Sequence, residues 1–440
     1  MAFVHECSCE IPKSELDIFA VPPTQTSIEH GTFVEYHPIS SISQGAPIEF
    51  EVSSTGEEYL DLADSYLHVK AKIQRANGND VANDDQIGPV NNFIHSLFSE
   101  VEVSLNGTLI SASTGTYPYR AYIENLLNYG TEAKQSQLTC ELFYKDTAGK
   151  MDCANPGAAV AIQNMGLRKR AEFTGGNVVV DMIGKIHSDI FYIDRYMMNE
   201  VNIKLKLSRS KDEFSLMWTG DNAFRVFIVS ASLFVRKVKL SPSVFLAHAK
   251  TLENGMAKYP IKRVICKAFT VPTGYRDVTS ERLFSGTLPT RVIIGCIDND
   301  AFNGNKAKNP FNFKNFDLTE LSVYLDGQQQ TIKPLKCNYG SNQFISAYMT
   351  LFSGTGRQNR DLGIDIGRSE YKDGYALYAF DLTPDMSQEG HFNLIKQGSL
   401  RLDMKFGTAL PNTITVVAYG EFENLIEIDR SRNIVFDFNN

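Results

Sequence analysis

The sequence predicts an all-β protein made of two like sandwich domains in tandem, and three observations lead there. The turn dipeptide Asn106-Gly107 recurs as Asp326-Gly327, half a chain length later. Apolar residues alternate with polar ones on the way into each turn: Val101, Val103 and Leu105 in the first copy, Leu321, Val323 and Leu325 in the second. Such alternation gives a strand with one buried face. Further matching segments flank the two hairpins in the same order, so the repeat spans a whole domain.

Taken along the chain, residues 1–44 read as an extended arm, in which Pro22-Pro23 prevents helix formation. The strand pattern at 66–73 has its counterpart at 290–297. The hairpins follow, and Asn-Gly and Asp-Gly tolerate the positive φ angles of a type I′ turn. Mixed segments at 119–127 and 344–352 fit short helices. The stretch 128–177 is present only in the first half. It is rich in Gly, Ala, Asn and charge without a clear period, and reads as a surface insertion or an interaction loop. Val201, Ile203, Leu205 and Leu207 alternate with polar residues, as do Leu400, Leu402, Met404 and Phe406. Dense apolar runs at 224–235 and 413–422 suit strands buried on both faces. Between the halves, Ser241 fits an N-cap, Pro242 the first helical turn, and Gly255 a left-handed C-terminal stop. The expected organisation is an arm (1–44), a first sandwich (45–240), a linker helix (241–258), a second sandwich (259–430) and a tail (431–440). Each half has room for about eight strands, the number in a jelly roll, although strand count does not separate a jelly roll from an immunoglobulin-like sandwich.

Composition excludes several classes of function. No apolar run approaches the roughly 20 residues of a membrane span. Residues 1–10 lack the basic and apolar regions of a signal peptide, which points to synthesis in the cytoplasm with assembly there or in the nucleus. Seven dispersed cysteines without a Cys-x-x-Cys pair exclude a zinc ribbon and argue against a disulfide framework; Cys7 and Cys9 read as thiols in a mobile arm. The formal net charge is −8, and the first 50 residues hold Lys13 as their one basic residue, so the arm cannot condense nucleic acid. Arg168-Lys169-Arg170 and Arg236-Lys237-Val238-Lys239 are short basic clusters that read as a solvated loop or strand end, with a weak nuclear-import or phosphate-contact signal as the alternative.

Chemistry is sparse. There is no Walker loop, dinucleotide fingerprint, nucleophile elbow or His-Glu-x-x-His motif. Gly354-Thr-Gly356 lacks the Lys of a phosphate loop. His68 reads as a hydrogen-bonded strand histidine and His248 falls on the linker helix. Asp298-Asn-Asp300 with Asn303-Gly-Asn305 lacks the spacing and closing Glu of a calcium loop and reads as a turn. The sequon Asn106-Gly-Thr108 falls in the hairpin turn. No catalytic, cofactor-binding or metal-binding residue is assigned. A secreted sugar-binding module would require a signal and exposed aromatic platforms, and Trp218 is the sole tryptophan. An enzyme would require a constellation assembled only in space.

Lys13-Ser-Glu-Leu-Asp-Ile-Phe-Ala-Val-Pro-Pro-Thr-Gln-Thr-Ser-Ile28, Pro47-Ile-Glu-Phe-Glu-Val52 and Asn92-Phe-Ile-His-Ser-Leu-Phe-Ser-Glu-Val-Glu-Val-Ser-Leu-Asn-Gly107 carry a resemblance. They are similar to the major capsid protein of Polinton/Maverick elements and the related adintoviruses, with the likeness strongest over 13–130. The resemblance implies a double jelly roll with a structural, non-enzymatic role and no cofactor. It implies a homotrimer shaped as a pseudo-hexagonal capsomer in an icosahedral virion shell around double-stranded DNA. Its partners would be further capsomers and a single-jelly-roll penton protein, with at most weak, non-specific contact with the enclosed DNA. The insertion 128–177 and the loop 353–374 would then project outward or cap the trimer, and the arm would lie under a neighbouring capsomer or pair with its sheet edge.

Overall fold

Two sandwiches with the same strand order follow one another in the chain. The computed structural model describes residues 7–9, 11, 13–43, 45–54, 56–82, 84–111, 113–329, 334–386, 391–394 and 396–436. In the first half the strands of the two sandwich sheets are β1 (Ile28–Tyr36), β2 (Ile48–Val52), β3 (Glu58–Arg75), β4 (Phe98–Leu105), β5 (Thr108–Leu109), β6 (Val180–Lys185), β7 (Ile203–Arg209) and β8 (Phe224–Leu240). In the second they are β9 (Ala257–Val271), β10 (Asp277–Thr287), β11 (Arg291–Asp298), β12 (Leu318–Leu325), β13 (Gln328–Gln329), β14 (Leu377–Asp381), β15 (Gln397–Phe406) and β16 (Ile414–Ile428). The sheets run β1-β8-β3-β6 and β2-β7-β4-β5, then β9-β16-β11-β14 and β10-β15-β12-β13. The second half repeats the connectivity of the first strand for strand. In each half the chain crosses between two facing antiparallel sheets, which is the jelly-roll arrangement.

Local chemistry explains the hairpins. Asn106 and Gly107 hold φ of 46° and 84°, and Asp326 and Gly327 hold 49° and 80°, as a type I′ turn requires. The alternating residues before each turn bury Val101, Val103 and Leu105 in one core and Leu321, Val323 and Leu325 in the other.

Helix α1 (Tyr117–Asn128) is buried almost all round and forms a wedge between the halves. Tyr117 and Ala121 belong to the first core, while Tyr119, Tyr122, Ile123 and Leu126 belong to the second. Tyr122 stacks on Phe311 with ring centroids 4.3 Å apart. In return, Tyr259, Ile261, Ile426 and Ile428 complete the first core. Among the described residues no helix is long and apolar enough to cross a membrane.

Several expectations need correction. The arm expected over 1–44 ends sooner, because β1 pairs along the edge of β8, with Val34 opposite Val235. Most of its side chains face outward, so it shows no alternating pattern to read. Residues 1–6, 10, 12 and 44 of the expected arm and 437–440 of the expected tail lie outside the described residues. Ile434–Phe436, also placed in the tail, pairs with β16. The run 224–235 is not buried on both faces, since Phe227 and Val229 are 41% and 44% exposed, whereas residues 414–420 are all buried. Helix α3 (Pro242–Leu252) connects the halves, but Ser241 caps it through its carbonyl, which accepts from Phe245 N at 3.0 Å, and not through its hydroxyl. Gly255 is not left-handed.

The insertion 128–177 is no loose loop. It contains α2 (Met165–Thr174) and buries Leu138, Phe143, Met151 and Leu167. It also interlocks with the loop 353–374. Arg357 donates to Asn128 O at 2.6 Å, Lys134 Nζ to Ile364 O at 2.5 Å, and Lys145 Nζ meets Glu370 Oε2 at 2.7 Å. Helix α4 (Ile345–Ser353), the counterpart of α1, leads into that loop.

Candidate assembly surfaces

The sequence-flagged polar groups are mostly consumed by the fold. In the first basic cluster, Arg168 pairs with Glu172 at the surface at 3.4 Å, but Arg170 is fully buried and donates to Asp146 Oδ1 at 2.7 Å. The second cluster lies in β8 beside acids of neighbouring segments. Arg236 pairs with Asp61, Lys237 with Glu58 at 3.2 Å, and Lys239 with Glu29 at 3.8 Å. Neither cluster presents a bare cationic patch. At the turn that follows Asp298, Asp298 accepts from Lys314 Nζ at 2.6 Å and Asp300 from Lys308 Nζ at 3.1 Å, so lysines supply the positive charge. Thr355, between Gly354 and Gly356, donates to Leu351 O at the end of α4. His68 Nε2 meets Asp181 Oδ1 at 2.5 Å across β3 and β6. Asn106 of the sequon donates to Arg432 O at 3.0 Å and accepts from Asn202 N at 2.7 Å. Trp218 is buried edge-on to Phe224 and offers no exposed platform. Cys9 is exposed in the arm.

What remains open is apolar surface. The outer face of β1-β8-β3-β6 exposes Phe33, Ile183, Phe227 and Val229. Paired residues across strands point to the same side, so Phe33 opposite Arg236 and Ile183 opposite His68 share this face. The equivalent face of β9-β16-β11-β14 is covered by α1. Tyr419 donates to Glu124 Oε1 at 3.2 Å, Thr116 Oγ1 to Cys266 O at 2.8 Å, and Val264 N to Asp189 Oδ1 at 3.1 Å, while Arg120 joins Glu124 and Asp189 at 3.0 and 2.7 Å. Helix α4 covers no such partner sheet: its Ile345 and Met349 are each 40% exposed. Sequence periodicity gave no sign of this asymmetry, because both helices read alike.

A second surface lies beneath α3. An apolar groove of about 510 Å³ is lined by Tyr59, Met198, Leu240, Val244, His248 and Tyr259. Tyr59 O–H and His248 Nδ1 are 3.1 Å apart, and Tyr259 O–H accepts from Met198 N at 3.1 Å. Burial raises the Tyr59 pKa and pushes Tyr259 up to about 12, which keeps both hydroxyls neutral. Ser27 and Ile28, where the arm joins β1, also line the groove. Leu16, Ile18, Phe19 and Val21 of that arm are exposed.

No family model matches the chain. The Caenorhabditis elegans "Uncharacterized protein F54H12.2" is 27% identical over 433 residues, covering 95% of this chain and 99% of that protein. Among solved structures, a chain of the Sputnik virophage cryo-EM structure aligns with TM-score 0.67 and 10% identity over 98% of this chain and 94% of that one. The Faustovirus major capsid protein aligns with TM-score 0.56 and 7% identity, over 93% and 92% of the two chains. The mavirus major capsid protein gives TM-score 0.55 and 12% identity, over 99% and 95%. These alignments run through both halves, and with the repeated strand order they establish that the chain has the double jelly-roll fold.

Proposed function

We propose that the chain is a major capsid protein, of the kind found in Polinton/Maverick elements and adintoviruses. Three copies close into a pseudo-hexagonal capsomer of an icosahedral virion shell around double-stranded DNA, with a single-jelly-roll penton protein at the fivefold positions. The observation that carries this reading is the unequal cover of two equivalent sheets. Within one chain, α1 of the first half covers the outer face of the second. A ring of alternating halves repeats that joint between chains, so α4 of one copy would cover β1-β8-β3-β6 of the next. The residues left open fit this arrangement: Ile345 and Met349 on α4, and Phe33, Phe227 and Val229 on the sheet. Exposed apolar area of this kind marks an association surface. The paired basic clusters support only weak contact with the enclosed DNA.

Light scattering with size-exclusion chromatography and negative-stain microscopy test the proposal. The expected result is a trimer with a hexagonal outline that Phe227→Glu with Val229→Glu, or Met349→Glu, converts to folded monomers. A wild-type chain that stays monomeric at micromolar concentration refutes it. The arm is a separate element of the same proposal, reaching from its origin at the α3 groove to a neighbouring capsomer. Removing residues 1–26, which spares β1, should leave trimers intact and impair shell formation. Normal shells from the truncated chain would exclude that role.

A further inference from the structure

Three residues far apart in sequence meet in a buried pocket beside α1. His95 lies in the short helix Phe93–Ser96, Glu141 ends the helical turn Gln137–Glu141 of the insertion, and His187 follows β6. All three are buried, and their ligating atoms lie within 4.8 Å of one another. His95 Nε2 is 3.4 Å from Glu141 Oε2, and the two imidazole rings meet edge to face at a centroid distance of 4.6 Å. Neither Nε2 atom has a hydrogen-bond partner.

The groups behind these atoms fix their chemistry. His187 Nδ1 lies 2.5 Å from Glu124 Oε2, an ionised carboxylate that can only accept, so the ring proton sits on Nδ1 and the Nε2 lone pair is free. His95 Nδ1 meets the Tyr117 hydroxyl at 2.9 Å, and the tautomer in which Nδ1 donates to that oxygen leaves the same lone pair on its Nε2. Glu141 Oε2 is held by Asn125 Nδ2 at 2.7 Å. In that tautomer two nitrogen lone pairs and a carboxylate oxygen converge in a desolvated space, an arrangement that a cation between them would relieve. A carboxylate behind a ligating histidine is the support that metal-bound imidazoles characteristically have. The 3.4 Å nitrogen–oxygen separation is also the edge of a tetrahedron about 2.1 Å in radius, the length of a zinc–ligand bond.

We propose that His95 Nε2, His187 Nε2 and Glu141 Oε2 bind one zinc-like divalent cation per chain. Two imidazoles and a carboxylate suit Zn²⁺ over Ca²⁺ or Mg²⁺, which prefer oxygen. The ion would be structural. It would tie the insertion, through Glu141, to the first jelly roll, and its supporting carboxylate Glu124 also binds Arg120 and Tyr419 of the joint between halves. The proposal concerns the single chain and stands whether or not that chain forms a capsomer.

The test uses the full-length chain, purified without a metal-affinity tag and stripped with a chelator. Elemental analysis before stripping should find about one zinc per chain. Cobalt titration of the stripped protein should saturate at one equivalent with the visible absorption of four-coordinate Co²⁺, and Zn²⁺ should displace it and raise the melting temperature. Glu141→Gln should lose the Co²⁺ spectrum and the zinc-dependent melting shift, and Glu124→Gln should weaken zinc about 10–100-fold. A folded wild-type chain that holds no zinc and binds neither ion stoichiometrically overturns the proposal, and this measurement decides even where a variant does not fold.

Discussion

Replacing Arg170 by Met should cost this protein about 3–5 kcal/mol, the usual consequence of stranding one member of a buried ion pair. Both Arg170 and Asp146 have side chains with no exposure. The guanidinium joins three acceptors: Pro89 O at 2.9 Å in the first half, Tyr144 O, and Asp146 Oδ1 at 2.7 Å in the insertion. Asp146 reaches in turn to the second half, where Asn309 Nδ2 donates to Oδ2 at 3.0 Å and the Tyr375 hydroxyl to its carbonyl at 2.6 Å. Met fills much of the same volume but leaves a buried carboxylate with only amide donors and two carbonyls without a partner. Against a typical stability of about 5–15 kcal/mol, that loss is large. Urea unfolding can be followed through the fluorescence of Trp218, whose buried indole lies under Lys306. The control is Arg168→Met two positions away, where an exposed pair with Glu172 predicts a change below about 0.5 kcal/mol. Arg170→Met within about 1 kcal/mol of wild type would refute the view that this pair locks the insertion to both halves.

Other perturbations give equally definite outcomes. Gly107→Ala and Gly327→Ala each force a side chain into positive φ, so each should cost about 1 kcal/mol or more, and similar midpoint shifts in the two are expected from equivalent turns; a neutral result at either removes the type I′ assignment there. Gly295→Ala in β11 places a Cβ 2.5 Å from Phe313 Cδ1 and 2.7 Å from Leu377 Cδ2, so overpacking of about 1–3 kcal/mol should appear as a lower melting temperature. Burial lowers the Lys134 pKa from 10.5 to about 7. Between those values the unfolded chain holds a proton that the folded chain has released, so stability rises with pH across the window and that gain is lost as pH falls to about 7. The stability of wild type relative to Lys134→Met should therefore climb from pH 7 to 10, by at most about 1.4 kcal/mol per unit, and a flat difference counts against a depressed lysine.

The repeat was legible because it rests on local rules. A type I′ turn needs two particular residue types, and a strand with one buried face must alternate, so the hairpins and the strands β7 and β15 announce themselves. What the sequence concealed depends on contacts between distant segments. Strand β1 is an edge with most side chains outward, so no alternation marks it. Arg168 and Arg170 look alike in sequence, yet the turn of α2 sends one to water and the other beneath Pro89 and Tyr144. The insertion lacks a period because its polar residues are spent on the end of α1 and on the loop 353–374, as Lys134 and Lys145 show. His95, Glu141 and His187 sit on three separate segments, and nothing in their spacing hints that they meet.

Duplication by itself would give two identical joints around the proposed ring, and the faces that would make them differ in kind. The joint within the chain is buried and adds an ionic network to its apolar wedge: Arg120, Glu124 and Asp189 form a desolvated network that Tyr419 and Val264 complete from the other half. Such a network is costly to leave half satisfied, which suits a contact that forms once, during folding, and never opens. The face that would make the other joint presents Phe33, Phe227, Val229 and Ile183, with Ile345 and Met349 on the matching helix. Apolar groups can be wetted without stranding a charge, so in the proposed capsomer a chain built this way would survive alone until its neighbours arrive. Substitutions at Arg120 or Asp189 should therefore show themselves as lost folding, and substitutions at Phe227 or Met349 as lost association with the fold retained. If both sets instead abolished folding, the two faces would not be playing different parts, and the ring would lose its physical basis.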